Sequence, residues 1–329
     1  MNSFRTPTSP PTIDNLQWDG KRPLFSIMIP TYNCGNYLKD TLESVLEQDL
    51  GVDHMQIEVV DDCSTDVNVE QRVREVGKGR VGFFGQKQNV GSLRNFESCL
   101  NRCKGKYVHI LHGDDLVKPG FYKEIKTLFE THPTIGAAFT GLSVINESGN
   151  FLYYNDTVQN TTGIISDWLL KISKSQCLRT CCIVVKREVY EKLGGYFGVH
   201  YGEDWEMFVR IAANYPVAYT PKNLAAYRIH NNNISTRYLA TAQNVKDIKT
   251  VINIIQQYLP VRERKTSKSA AKQNFAIHFA FNALAIYKTT KNAKVALKQA
   301  HAAFRLCPTN KTIISLLKLY AKIIIDYRR

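Results

Sequence analysis

Leu24-Phe25-Ser26-Ile27-Met28-Ile29-Pro30-Thr31-Tyr32-Asn33 decides the fold. Its apolar half runs on without the polar alternation of a half-exposed strand, as a strand covered on both faces requires, and Pro30 ends it. Downstream, Tyr37, Leu38, Leu42, Val45 and Leu46 recur at helical spacing, and Ile57 to Val60 form a second apolar run closing on Asp61-Asp62. Strand, helix and strand in this order predict a parallel pair with a right-handed crossover. The alternation continues with a strand at Val81–Phe84, a helix at Ser92–Arg102, a strand at Tyr107–Leu111 and a helix at Pro119–Glu130, whose proline suits a first turn. Further strands are expected at Ile135–Thr140, Ser143–Ile145, Phe151–Tyr154 and Cys181–Lys186, with helices at 164–175 and Glu203–Asn214. Beyond Tyr238 only helical patterns remain, at 240–258, 267–289, 292–306 and 310–327. The expectation is a loose, Pro-rich leader (1–22), an α/β body (23–238) with a mostly parallel sheet between helices, and an all-helical appendage (239–329).

With 44% apolar and 22% charged residues among 329, disordered and low-complexity classes are excluded. The net charge of +14 is unevenly placed: residues 1–239 hold 26 basic and 26 acidic residues, while 240–329 hold 17 basic ones against Asp247, Glu263 and Asp326. No aromatic stacking platform accompanies this charge, so nucleic acid is not the expected partner. In 310–327, Ile313, Ile314, Leu316, Leu317, Tyr320, Ile323 and Ile324 form a broad apolar side edged by Lys311, Lys318, Lys322, Arg328 and Arg329. That pattern fits an interfacial helix on an anionic membrane surface. The eight cysteines show neither zinc-ligand spacing nor a disulfide framework, and no apolar run approaches a membrane span. A cytoplasmic protein, peripheral at the inner face of the cell membrane, is expected.

Ligands of open α/β sheets gather beyond the carboxyl ends of the strands. Those ends read Pro30-Thr31-Tyr32-Asn33, Asp61-Asp62-Cys63-Ser64-Thr65-Asp66, Asn89-Val90-Gly91 and His112-Gly113-Asp114-Asp115. Carboxylates crowded on one edge repel unless a divalent cation, or a donor-rich ligand such as a nucleobase with its ribose, intervenes. Neither GxxxxGK[ST] nor GxGxxG follows the first strand, so phosphate charge must be met by a metal and isolated side chains. A nucleotidyltransferase would need a Gly-rich basic loop where Pro30-Thr31-Tyr32-Asn33 stands.

These motifs, followed by Glu203-Asp204-Trp205 and Tyr227-Arg228-Ile229-His230, resemble inverting glycosyltransferase family 2 over residues 24 to about 236. The resemblance implies a GT-A fold, a nucleoside-diphosphate sugar as donor (a UDP-sugar favoured), Mn²⁺ or Mg²⁺, and a hydroxyl of a glycan or lipid-linked glycan as acceptor, in bacterial surface-polysaccharide assembly. It implies a donor site of Pro30, Thr31, Tyr32, Asp62, Asn89, Asp114 and Arg228, and metal ligation by Asp115 and His230. Asp204 matches the general base, Glu203 would share or orient its work, and Arg210 would pair with a nearby acid. Asp61 is expected to be structural and Trp205 a buried aromatic. The family often has Asp where this chain has His112. A non-catalytic scaffold acting through the basic helices is the competing reading.

Overall fold

β1 (Phe25–Thr31) is buried along its whole length, and the sheet grows outward from it. The computed structural model describes residues 4–17, 20–230 and 234–327, the side chains of 234–237 excepted. Two compact units divide the chain: a sheet unit (1–168, 177–198 and 210–229) and a helical unit (169–176, 199–209 and 230–329).

In chain order the elements are β1, α1 (Gly35–Leu46), β2 (Met55–Asp61), α2 (Val69–Gly77), β3 (Gly82–Gly85), α3 (Ser92–Arg102), β4 (Tyr107–Ile110), β5 (Leu116–Val117), α4 (Phe121–Thr131), β6 (Ala137–Ile145), β7 (Phe151–Tyr154), β8 (Gly163–Ile164), α5 (Trp168–Ile172), β9 (Ile183–Lys186), α6 (Arg187–Leu193), α7 (Glu203–Asn214) and β10 (Val217–Arg228). The strands lie in the order β3-β2-β1-β4-β9-β6-β10-β5, with β7 beside β6 and β8 beside β10. The first four are mutually parallel, whereas β9 runs against both β4 and β6. Three carboxyl ends, of β1, β2 and β4, therefore lie side by side. Behind them, Phe25, Tyr107, Tyr122 and Phe129 interlock, with Tyr107 and Phe129 stacked at 4.1 Å and Phe25 edge-on to Tyr122 at 5.4 Å.

The expected loose leader is corrected. Ile13 is buried, the Pro11 carbonyl accepts from Gly195 N–H (2.8 Å), the Pro7 carbonyl from Gly198 N–H (2.9 Å), and the Asp14 carbonyl from Arg187 Nη2 (2.9 Å). A Pro-rich segment cannot form a helix, but its extended backbone leaves carbonyls open to donors elsewhere. Sequence also divided residues 135–145 into two strands where one runs through, and it overlooked α2 and β10.

The helical unit comprises α8 (Ile234–Thr241), α9 (Gln243–Ile254), α10 (Val261–Thr290), α11 (Ala293–Leu306) and α12 (Asn310–Tyr327), together with the two earlier segments. The expected boundary at 238/239 is thereby moved to 229/230. The earlier segments belong there because Trp205 donates from Nε1 to the Ile172 carbonyl (2.7 Å) and packs on Phe275 (4.7 Å), while Ser267 and Ser173 join through their hydroxyls (2.8 Å). Small residues Ala283, Ala296 and Ala300 let α10 and α11 approach closely, with Tyr287 and Leu319 filling the core. Arg328 and Arg329 lie outside the described residues.

Candidate active site

Backbone bonds knit the strand ends together. Asp62 N–H donates to the Thr31 carbonyl (2.9 Å), and Gly113 N–H to the Pro30 carbonyl (3.2 Å). A Cβ on Gly113 would sit 3.0 Å from both Cys34 Sγ and Thr31 Oγ1, so any larger residue would have to displace these side chains by a few tenths of an ångström for the loop after β4 to lie this close to β1. Thr31 is buried, whereas Tyr32 is exposed.

Asp62 holds the loop before α3. Its Oδ1 accepts from Val90 N–H (2.6 Å) and its Oδ2 from Gly91 N–H (2.9 Å) and Asn89 Nδ2 (3.0 Å). Burial pushes this carboxyl above the ordinary range, and the two backbone donors oppose the shift. Asn89 also accepts from Arg5, tying the leader to this loop. Asp61 is structural, as expected, with its carboxylate accepting from the Ser64 N–H (3.0 Å) and hydroxyl (2.5 Å).

The loop after β4 gathers His112, Asp114 and Asp115, one ligand atom of each lying within 4.8 Å of the others. His112 stacks on Phe96 (5.4 Å, 9°), and its Nδ1 lies 3.9 Å from Asp115 Oδ2. Asp115 is 1% exposed, and burial, then Asp114, push its carboxyl well up; Arg228 N–H and the Cys181 thiol donate to it and work the other way. An imidazole and two carboxylates suit Mn²⁺ or Mg²⁺, so the residues present fit the implied ion. His112 was absent from the expected ligand pair, and its place directly after a strand and before two aspartates was the available signal. Cys181, read only as part of a strand, gave no sign that it would reach Asp115.

Arg228, expected in the donor site, lies beside the acidic loop. β5 and β10 pair antiparallel with Leu116 opposite Ala226, which carries Arg228 back alongside Asp114. Its guanidinium is 1% exposed and donates to the Asp114 carbonyl (2.9 Å), the Glu147 carbonyl (3.0 Å) and Asp40 Oδ2 (2.9 Å), lying over the Tyr37 ring at 5.0 Å. These partners hold the guanidinium against the acidic loop. Arg210 donates to the carbonyls of Leu193 and Gly195, the latter at 2.9 Å, and lies over Phe197.

In the helical unit, Glu203 and Asp204 open α7, where the helix N-terminus favours negative charge. Asp204 accepts from Gln176 Nε2 (2.6 Å) and from Trp205 N–H (2.8 Å). Burial, with Asp204 and Asp247 nearby, pushes the Glu203 carboxyl well above the ordinary range. Trp205 is fully buried, as expected, and His230 is buried in the same unit.

A parallel half-sheet whose strand ends carry an acidic, histidine-containing loop, with antiparallel strands beyond, defines a GT-A nucleotide-sugar transferase. The chain belongs to glycosyl transferase family 2, whose family model matches residues 26–194. An uncharacterized glycosyltransferase of Haemophilus influenzae is 23% identical over 314 residues, covering 84% of this chain and 96% of that one. The Bacillus subtilis protein named as a putative teichuronic acid biosynthesis glycosyltransferase, TuaG, is 30% identical over 153 residues, 43% of this chain and 59% of its own. S. aureus TarS 1–349 in complex with UDP-GlcNAc shares the fold with a TM-score of 0.66 and 15% identity, over 93% of this chain and 91% of that one. The protein is thus a family 2 glycosyltransferase that uses a nucleotide-sugar donor, and the scaffold reading is not favoured. Among the described residues no helix is long and apolar enough to cross a membrane.

Proposed function

We propose that the chain moves a sugar from a UDP-sugar to a hydroxyl of a glycan or lipid-linked glycan, with inversion and with Mn²⁺ or Mg²⁺. The observation that carries this reading is the cluster of His112, Asp114 and Asp115 at the strand ends. His112, Asp114 and Asp115 would hold the ion; a divalent ion bound there would supply charge neutralisation for the departing diphosphate. Pro30, Thr31, Tyr32, Asp62 and Asn89 shape the base pocket, and Asp114 serves the ribose or shares the ion.

Asp204 takes the proton from the acceptor hydroxyl as that oxygen attacks the anomeric carbon, and attack opposite the leaving group inverts the linkage. The upward shift of the Glu203 carboxyl, from burial and from Asp204 beside it, supports dividing the two roles this way. Calorimetric titration with UDP, GDP and dTDP, each with and without Mn²⁺, tests the donor end. Saturable, Mn²⁺-dependent binding of UDP above the others is expected. Equal binding of all three, or binding indifferent to the ion, refutes the donor and metal assignments.

A further inference from the structure

We propose that the outer face of α10 and α12 is a docking surface for an anionic phospholipid bilayer. α12 spends Thr312, Ser315 and Leu319 on its inward side. Its other side leaves Ile313, Ile314, Leu317, Tyr320, Ile324 and Ile325 exposed, between 39% and 62%. These fall on one broad arc of the helix at 100° per residue, a contiguous apolar strip of a kind that monomeric surfaces rarely carry without a partner. Beside the strip, α10 and α12 enclose a groove of about 350 Å³ whose apolar wall is Leu284, Ala285, Ala321 and Ile325 and whose rim is Lys288, Lys318 and Lys322. Phe281, one turn before Ala285 and 53% exposed, extends the apolar wall along α10.

The occupant follows from charge. Three ammonium groups from two helices stand around an apolar slot, and the adjacent acid, Asp326, is engaged by Lys291 at 2.7 Å. A second copy of the chain would bring lysines against lysines. A lipid surface offers both complements at once: acyl chains for the isoleucines and phosphate headgroups for the rim. No helix among the described residues is long and apolar enough to cross a membrane, so α12 lies in the plane of the interface. Each lysine beside an anionic leaflet strengthens partition roughly fivefold, so the three together contribute about a hundredfold.

Co-sedimentation of the full chain with vesicles tests this. Binding to phosphatidylcholine vesicles containing phosphatidylglycerol should exceed binding to phosphatidylcholine alone by at least about tenfold and weaken with added salt. The triple variant Lys288→Glu, Lys318→Glu, Lys322→Glu should abolish that preference, and Leu317→Ser with Ile324→Ser should weaken binding to both vesicles. All these positions are exposed, so circular dichroism and Mn²⁺-dependent UDP binding should stay unchanged, which separates this outcome from failure of the donor assignment. No binding by the unaltered chain, equal binding to neutral vesicles, or undiminished binding of the triple variant overturns the proposal. So does a doubled mass in light scattering that the Leu317→Ser, Ile324→Ser variant returns to that of a monomer, since a second copy would then occupy the face.

Discussion

Arg228 grips the acidic loop at two places, its backbone N–H donating to Asp115 Oδ1 at 2.9 Å and its Nε to the Asp114 carbonyl at 2.9 Å. The last strand of the sheet thus fixes the orientation of a loop 113 residues earlier in the chain. Replacing Arg228 by Met would strand the carbonyls of Asp114 and Glu147 and should cost about 2–4 kcal/mol in urea unfolding, with weaker Mn²⁺ binding. A phosphate-binding arginine would behave differently: donor affinity would fall while the unfolding midpoint held.

Asp115→Ala should reduce sugar transfer at least about a hundredfold, because the charge of the departing diphosphate loses its counterion. EDTA should produce the same loss in the unaltered chain, with recovery on adding Mn²⁺. Turnover that survives both treatments would remove the metal from the reaction.

Asp204→Asn keeps the shape and the Gln176 contact but cannot take a proton. Transfer should fall by about 10²–10⁴-fold while calorimetric donor affinity stays within about twofold, since the base acts on the acceptor. Loss of donor binding together with turnover would place Asp204 in the donor site instead.

His109, in the middle of β4, donates from Nε2 to the Cys181 carbonyl (3.1 Å) and accepts at Nδ1 from the Tyr122 hydroxyl (3.2 Å), as the neutral tautomer requires. Burial lowers its pKa from 6.5 to about 3. Between those values the unfolded chain binds a proton that the folded one refuses, so this group's contribution to stability falls as pH drops, by about 1.4 kcal/mol per unit. The raised carboxyls of Asp62, Asp115 and Glu203 act in the opposite sense, so the quantity to read is a difference in slopes. Urea midpoints of the parent and His109→Gln from pH 6.5 down to 4.5 should show the parent losing stability more steeply; parallel curves would contradict the assignment.

Sequence reasoning reached β1, β2 and β4 because buried parallel strands are near-continuous apolar runs with polar ends, and those ends are where the acids converge. β10 escaped because Pro221, Lys222 and Asn223 interrupt it at a register shift, erasing both the run and the alternation. α2 buries only Val69, Val73 and Gly77, too thin a stripe to stand out, although Asn68 caps it by accepting from Gln71 N–H. Individual acids were legible, since charge concentrated after an apolar strand needs a reason. Their partners were not: that Arg228 meets Asp114 depends on strand pairing, and that Cys181 meets Asp115 depends on where β9 enters the sheet.

The leader held by Gly195, Gly198 and Arg187 sets an order of events during synthesis. Residues 5–16 leave the ribosome long before Arg187, Gly195 and Gly198, so this stretch cannot dock until those donors have been made. A nascent chain released short of residue 187 would carry the whole acidic loop yet lack all three donors that hold Pro7, Pro11 and Asp14.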